Sequence, residues 1–276
     1  MGEVGVGGSS GTVKVTFLGT GTSFGIPVVG CDCSTCTSAD PHDKRSRHGA
    51  VVTFDDGARL LVDTPPELRL QLVQNSIDRV DAVWYTHLHA DHVHGIDDLR
   101  AFTVRGAPPF PAYVPHGEQA SLEQRFAYIF DQSIQPPRGT SKPTIELHGI
   151  RPDEPVEILG RSFMPVTVPH GPVTVYGFRV GPLGYVTDGK RLPDAALATL
   201  RGVRVLVLNA LWFGNPHPTH FNVEEAVEAA RVVGAERTFL THLTHRVRHE
   251  ELAARLPPGV EAAFDGLTVE LDEEER

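Results

Sequence analysis

The chain has 276 residues, 40% of them hydrophobic and 22% charged, and carries a formal net charge of −10. It can bury a sizeable core, no stretch approaches the roughly 18 consecutive apolar residues of a membrane span, and it lacks the row of Lys and Arg that displaces counterions from a nucleic-acid polymer. Small phosphate esters stay open as partners, because bound divalent cations would reverse the sign that a substrate meets.

Residues 1–12 are rich in Gly and Ser and lack the basic and apolar regions of a secretory signal. They read as a flexible leader, followed by one domain over 13–276 and a cytoplasmic location. Val13-Lys-Val-Thr-Phe-Leu18 alternates as a strand should. The Gly-rich stretch Gly19–Gly25 lacks the ending of a phosphate-binding P-loop and a following helix, so it reads as a tight turn approaching a site. Lys44-Arg45-Ser46-Arg47 reads as a solvated loop or a cradle for one phosphate group. Ala50–Phe54 and Arg59–Val62 form a hairpin across Asp55-Asp56-Gly57. Pro66–Asn75 has helical spacing with Pro in the first turn, and Ala82–Tyr85 is a short buried strand. Gly95–Val104 and Gly117–Phe130 read as helices, and Pro108–Pro111 and Gln135–Gly139 as loops. Strands follow over Thr144–Leu147, Val156–Leu159, Phe163–Val168, Val173–Val180 and Leu183–Val186.

The rhythm then becomes α/β. Pro193–Leu200 is a helix, Val203–Leu208 a strand, and Asn222–Val233 a helix opened by a capping box of Asn222 and Glu225. Arg237–Leu240, Glu250–Arg255 and Leu267–Leu271 complete the pattern as strand, helix and strand. This order predicts an α/β fold: an αββα sandwich of two mixed sheets flanked by helices.

His87-Leu-His89-Ala-Asp91-His92 places four potential ligands directly after a buried strand. In extended backbone His87 and His89 share a face, and a turn at Ala90 redirects Asp91 and His92. These are the ligand types of Zn, Mn or Fe. The three cysteines all fall in Cys31-Asp-Cys33-Ser-Thr-Cys36, too few and too close for a disulfide framework. They offer three thiolates of a four-ligand zinc site. His245, three residues after His242, is the candidate fourth, bracing the loop that carries His242; the alternative is a surface loop of reduced cysteines.

The His-x-His-x-Asp-His run resembles the signature of the metallo-β-lactamase superfamily, and further motifs follow in its order. Asp63 matches an aspartate that orients a ligand histidine, His170 the third histidine of the first metal, Asp188 a bridging carboxylate and His242 the last histidine. The resemblance implies His87, His89 and His170 on one divalent ion, Asp91, His92 and His242 on a second, Asp188 between them, and a water activated by both. Aspartate at 188, where many true β-lactamases have cysteine, implies ester or phosphodiester chemistry.

The cysteine loop with Leu-Thr-His-Leu-Thr-His245 resembles the phosphoribosyl cyclic phosphate phosphodiesterase branch of the carbon–phosphorus lyase pathway. A similar loop occurs in the pyrroloquinoline-quinone biosynthesis protein B group, which does not keep the full histidine set. The resemblance implies a phosphodiesterase for small, cyclic sugar or nucleotide phosphates, with two Mn, Zn or Fe ions, one structural Zn and a homodimeric assembly. Catalysis would depend on Asp63, Asp91 and on His220 as general acid, with His217 as the fallback. Arg100 either reaches a substrate phosphate or pairs with Asp97 or Asp98. The rival readings are a transfer-RNA 3′-processing ribonuclease, a lactonase or thioesterase, and a non-catalytic cofactor-biosynthesis factor.

Overall fold

The computed structural model describes residues 11–103 and 108–272. Most of the leader and Val104, the last residue of the expected 95–104 helix, lie outside the described residues. The strands are β1 (Thr12–Gly19), β2 (Gly49–Thr53), β3 (Arg59–Val62), β4 (Ala82–Trp84), β5 (Phe110–Pro115), β6 (Ile145–Ile150), β7 (Val156–Ile158), β8 (Arg161–His170), β9 (Val173–Val180), β10 (Leu183–Val186), β11 (Val205–Asn209), β12 (Arg237–Thr241), β13 (Val260–Ala262) and β14 (Thr268–Asp272). The helices are α1 (Leu68–Gln74), α2 (Ala90–Val93), α3 (Arg100–Thr103), α4 (Gln119–Arg125), α5 (Ala127–Phe130), α6 (Asp194–Leu200), α7 (Val223–Val233) and α8 (His249–Arg255).

Two seven-stranded sheets result, ordered β14-β1-β2-β3-β4-β5-β6 and β13-β12-β11-β10-β9-β8-β7. Side-chain alternation explains how they layer. Leu60 and Val62 of β3 and Trp84 of β4 enter the core between the sheets with Phe163, Phe178, Tyr185 and Phe239. Leu61 and Val83, on the opposite face, pack with Leu68 and Leu72 of α1 and Leu122 of α4. The outer face of the second sheet packs on α6, α7 and α8 through residues such as Leu206, Leu200, Ala226 and Leu252. β3, β4, β10 and β11 are buried on both faces and therefore read as near-continuous apolar runs. The Trp84 indole N–H, buried between the layers, donates to the Tyr176 carbonyl at 2.7 Å.

The αββα expectation holds, and β3, β9 and β10 have the expected limits. Asn222 and Glu225 form the capping box, and Gly234 ends α7 in the left-handed conformation. Two strands were not expected. Pro108–Pro111 reads as a loop, yet β5 is an interior strand running from Phe110 to Pro115. The Phe110 N–H is directed toward β6, bonding the Thr144 carbonyl, and the Tyr113 carbonyl toward β4. By alternation, Pro111 and Pro115 direct their missing N–H groups toward β4, which pairs only with Ala112 and Tyr113. The short β13 is the second. The expected 117–130 helix is interrupted at Phe126, whose φ of −117° and ψ of 44° leave the helical region.

The basic patch is neither a phosphate cradle nor a solvated loop. Arg45 is fully buried and donates to the carbonyls of Thr244 and Val247 at 2.8 and 3.1 Å. Asp43, equally buried, lies 3.6 Å from it. Lys44 donates to the Cys36 carbonyl, and Arg47 to Ser23 and Glu67. The charges are spent inside the fold.

Asp265 fixes the same region. Its carboxylate accepts from Thr20 N and Oγ1 at 2.8 and 2.7 Å and from Ser46 N and Oγ, each at 2.7 Å. Asp265→Ala strands these donors and should cost about 3 kcal/mol, read as a lower urea midpoint with an unchanged slope. An unchanged midpoint would remove the clamp from the account.

Candidate metal centre

Strand direction gathers the site. β3 and β4 are parallel, as are β10, β11 and β12. β8 and β10 both run antiparallel to β9, so they share a direction. Asp63 follows β3, the histidine run follows β4, His170 ends β8, Asp188 follows β10 and His242 follows β12. All of them therefore emerge along one edge of the sandwich. The Thr64 N–H bonds the His92 carbonyl at 2.7 Å and the Gly95 N–H bonds the Thr64 carbonyl at 2.8 Å, locking the first two segments together. Only glycine fits at 95, because a Cβ would sit 2.1 Å from the Pro65 carbonyl oxygen.

The expected ligands converge. Ligand atoms of His87, His89 and His170 lie within 4.8 Å of one another, as do those of Asp91, His92 and His242. Asp188 stands between the two sets, its Oδ2 lying 3.9 Å from His87 Nε2, 3.4 Å from His92 Nε2 and 3.2 Å from His242 Nε2. His220 Nε2 approaches the same oxygen to 3.4 Å, and His170, Asp188 and His220 form a further convergent set. Asp63, Asp188 and His242 all have positive φ, at 61°, 54° and 57°, a strained backbone for non-glycine residues that concentrates at functional sites.

A hydrogen-bond relay sets two of the imidazoles. The Thr86 hydroxyl donates to Asp63 Oδ2 at 2.9 Å, so it can only accept from His87 Nδ1 at 3.0 Å. Asp63 also accepts hydrogen bonds from His92 Nδ1–H at 2.7 Å and from the Thr86 N–H at 2.8 Å. The Nε2 atoms of His87 and His92 are thus directed into the cluster, His87 Nε2 lying 2.9 Å from His89 Nδ1. His170 Nδ1 donates to the Thr219 carbonyl at 3.1 Å, with the same result. These are the outer partners that a ligand histidine needs. Thr86, Thr219 and the fully buried His48, which lies 2.8 Å from the Tyr185 hydroxyl, carry no sequence motif.

The electrostatics call for a cation. Burial opposes charge on His92, yet Asp188, Asp63 and Asp91 outweigh it and push its pKa well above the usual imidazole value. Burial likewise opposes ionisation of Asp188, but His242 and His92 hold it well below the carboxylate range. Burial brings His242 down to about 4 and His48 down to about 3. His92 Nε2 and both ring nitrogens of His242 are buried without a hydrogen-bond partner. Orphaned imidazole nitrogens aimed at buried carboxylates fit a divalent ion.

A second cluster lies nearby. His245 Nδ1 is 3.3 Å from Cys31 Sγ, 3.5 Å from Cys33 Sγ and 3.6 Å from Cys36 Sγ. The Cys36 amide N–H, the chief cause, brings Cys33 down to about 6, while burial pushes Cys36 up to about 11. Arg100 is engaged by Asp97, through both its carboxylate and its carbonyl; of the two options in the sequence, the ion pair is the one formed. His217 lies behind His220, their Nδ1 atoms 3.3 Å apart.

The β-lactamase superfamily domain profile matches residues 58–243. The chain belongs to this superfamily and has the metallo-β-lactamase fold. Within it, a crystal structure described as a new diphosphatase from the PhnP family superposes with a TM-score of 0.86 at 39% identity, covering 95% of this chain and 98% of that one. This agrees with the branch that the cysteine loop resembles. An octanoyltransferase of Porphyromonas gingivalis is 34% identical over 95% of this chain, which spans 52% of that protein. A ribonuclease Z of Myxococcus xanthus is 26% identical over 94% of this chain and 98% of its own length.

Thr86→Val cuts the relay from Asp63 to His87 and leaves the His92 contact in place. Divalent-ion affinity, measured by competition with a chromophoric chelator, should fall about 10- to 100-fold. Unchanged affinity would show that His87 needs no such orientation.

Proposed function

We propose that the chain is a metal-dependent phosphodiesterase acting on small, cyclic sugar or nucleotide phosphate diesters. The observation that carries this reading is Asp188, a buried carboxylate shared by two ligand sets, with His220 on its flank. His87, His89 and His170 would hold one divalent ion and Asp91, His92 and His242 a second. Such ions supply an acidified water and neutralise charge on the oxygens around phosphorus. Mn, Zn and Fe all suit these ligands.

The protein's own groups do the rest. Asp63 and Thr86 fix the tautomers of His92 and His87. The Thr219 hydroxyl, 2.9 Å from His220 Nδ1, can donate to it and leave the His220 proton on Nε2, on the side of Asp188. That proton is placed for the departing oxygen, which supports His220 over His217 as the general acid. The neighbour described as a diphosphatase, an enzyme named for phosphorus–oxygen bond cleavage, supports the same class of chemistry.

The test is turnover of adenosine 2′,3′-cyclic phosphate and bis-p-nitrophenyl phosphate by metal-replete protein, against lactones, thioesters and precursor transfer RNA. Diester hydrolysis should dominate. His220→Ala should lower kcat about 10²- to 10⁴-fold with metal content intact, and His89→Ala or Asp91→Ala should abolish turnover. Preferred cleavage of precursor transfer RNA would instead support the ribonuclease reading.

Cys31, Cys33, Cys36 and His245 would hold a structural zinc, closing four ligands around it. Native mass spectrometry should find one zinc per chain that resists EDTA after the catalytic ions are stripped. Cys33→Ser should lose that zinc and lower Tm; a variant with full zinc content would rule the site out.

A further inference from the structure

Phe24, on the turn that closes the Gly-rich loop, is 72% exposed. The turn is not a loose one: the Gly25 N–H bonds the Thr22 carbonyl at 2.9 Å, and the Ile26 N–H bonds the carbonyl of the buried Arg45 at 2.7 Å. A large aromatic ring is thus held in solvent by a braced backbone. Single exposed apolar residues are common and need no explanation, but this one lines a cavity.

The cavity, about 190 Å³, has Phe24, Trp212 and Arg246 in its wall. It is smaller than the roughly 300–1,000 Å³ of a whole small-molecule site, and suits one ring system rather than an entire ligand. The Arg246 guanidinium lies 4.3 Å from the centroid of the Trp212 ring. Among the described residues no carboxylate pairs with Arg246, which is notable in a chain of net charge −10. Trp212 has its edge fixed by an indole hydrogen bond to the Asn215 carbonyl at 2.8 Å.

His245 of the cysteine cluster also lines the cavity, and a row of ring contacts leads from it to the metal centre. The Trp212 ring meets the His217 ring edge-on at 5.5 Å, and the His217 ring lies 5.1 Å from that of His220. From His220 the next contact is Asp188. A ligand with phosphorus at Asp188 that lay across the His220 and His217 rings would bring its far end to Trp212.

We propose that Phe24, Trp212 and Arg246 form a subsite for the planar base of a nucleotide, which makes the substrate a nucleoside phosphate rather than a bare sugar phosphate. This rests on the phosphodiesterase reading for the position of the phosphate. The exposed Phe24 ring and the Arg246 guanidinium, itself backed by Trp212, offer stacking faces to any base and discriminate weakly between bases. The acidic surface favours a mononucleotide over a polymer.

Binding of adenosine 5′-monophosphate and ribose 5-phosphate to the metal-replete full chain, followed by isothermal titration calorimetry, tests the subsite without turnover. The nucleotide should bind at least about ten-fold more tightly, the scale of one base–aromatic stack. Phe24→Ala combined with Arg246→Ala should reduce the preference to below about three-fold, and Phe24→Tyr should keep it. Equal affinities in the wild-type protein, or a preference that survives the double substitution, would overturn the proposal. A preference that is present and lost on substitution, in a protein that cleaves no diester, would uphold the subsite and remove the phosphodiesterase reading alone.

Discussion

Burying carboxylates is the constraint around which this fold is organised. Asp63 and Asp188 are almost wholly removed from water and Asp91 is nearly so, and desolvating each costs several kcal/mol unless opposite charge is brought close. Imidazoles supply part of the compensation, at distances from 2.7 to 4.0 Å, and a divalent ion suits the rest. Rings and carboxylates can be held this close only if the backbone under them cannot relax. The parallel strands deliver them to one edge, and the locked Thr64, His92 and Gly95 segments hold two of the loops in register.

Much of this was legible in the chain because ligand spacing and strand burial leave strong local signals. His87 to His92 announces itself, as does the capped helix at Asn222. The outlying residues Asp63, His170, Asp188 and His242 became readable only through their order, since each alone is an ordinary strand-end residue. What stayed hidden depends on contacts between distant segments. The strand at Phe110–Pro115 was masked by its prolines, whose harmlessness follows from the shortness of the neighbouring strand. Thr86, His48 and Thr219 act through hydrogen bonds that no spacing encodes. Arg45 looked like a surface charge, and its burial is visible only once the 242–247 loop is folded over it.

That loop joins the two clusters. Between His242 and His245 the Leu243 N–H bonds the Thr20 carbonyl, and the Thr244 carbonyl accepts a hydrogen bond from Arg45. Thr20 is in turn held by Asp265. The cysteine loop, the Gly-rich loop and the edge that carries His242 are thus one mechanical unit, and the position of His242 is set from several sides at once. A braced ligand keeps its geometry whether or not substrate is present, which limits the reorganisation needed during reaction.

The left-handed backbone at Asp63, Asp188 and His242 sets a bound on how sturdy this protein can become. Each such residue carries a conformational penalty of order 1–3 kcal/mol, and glycine would relieve it at the loss of the side chain. Ser76, Asp153 and Leu159 share this backbone but lie outside the ligand sets, so strain can be relieved there without touching the cluster, and at Asp63, Asp188 and His242 only by losing the side chain. Selection for resilience therefore has room at those three positions, in the core and on the outer helices, while the strain at the ligand-bearing edge stays built in.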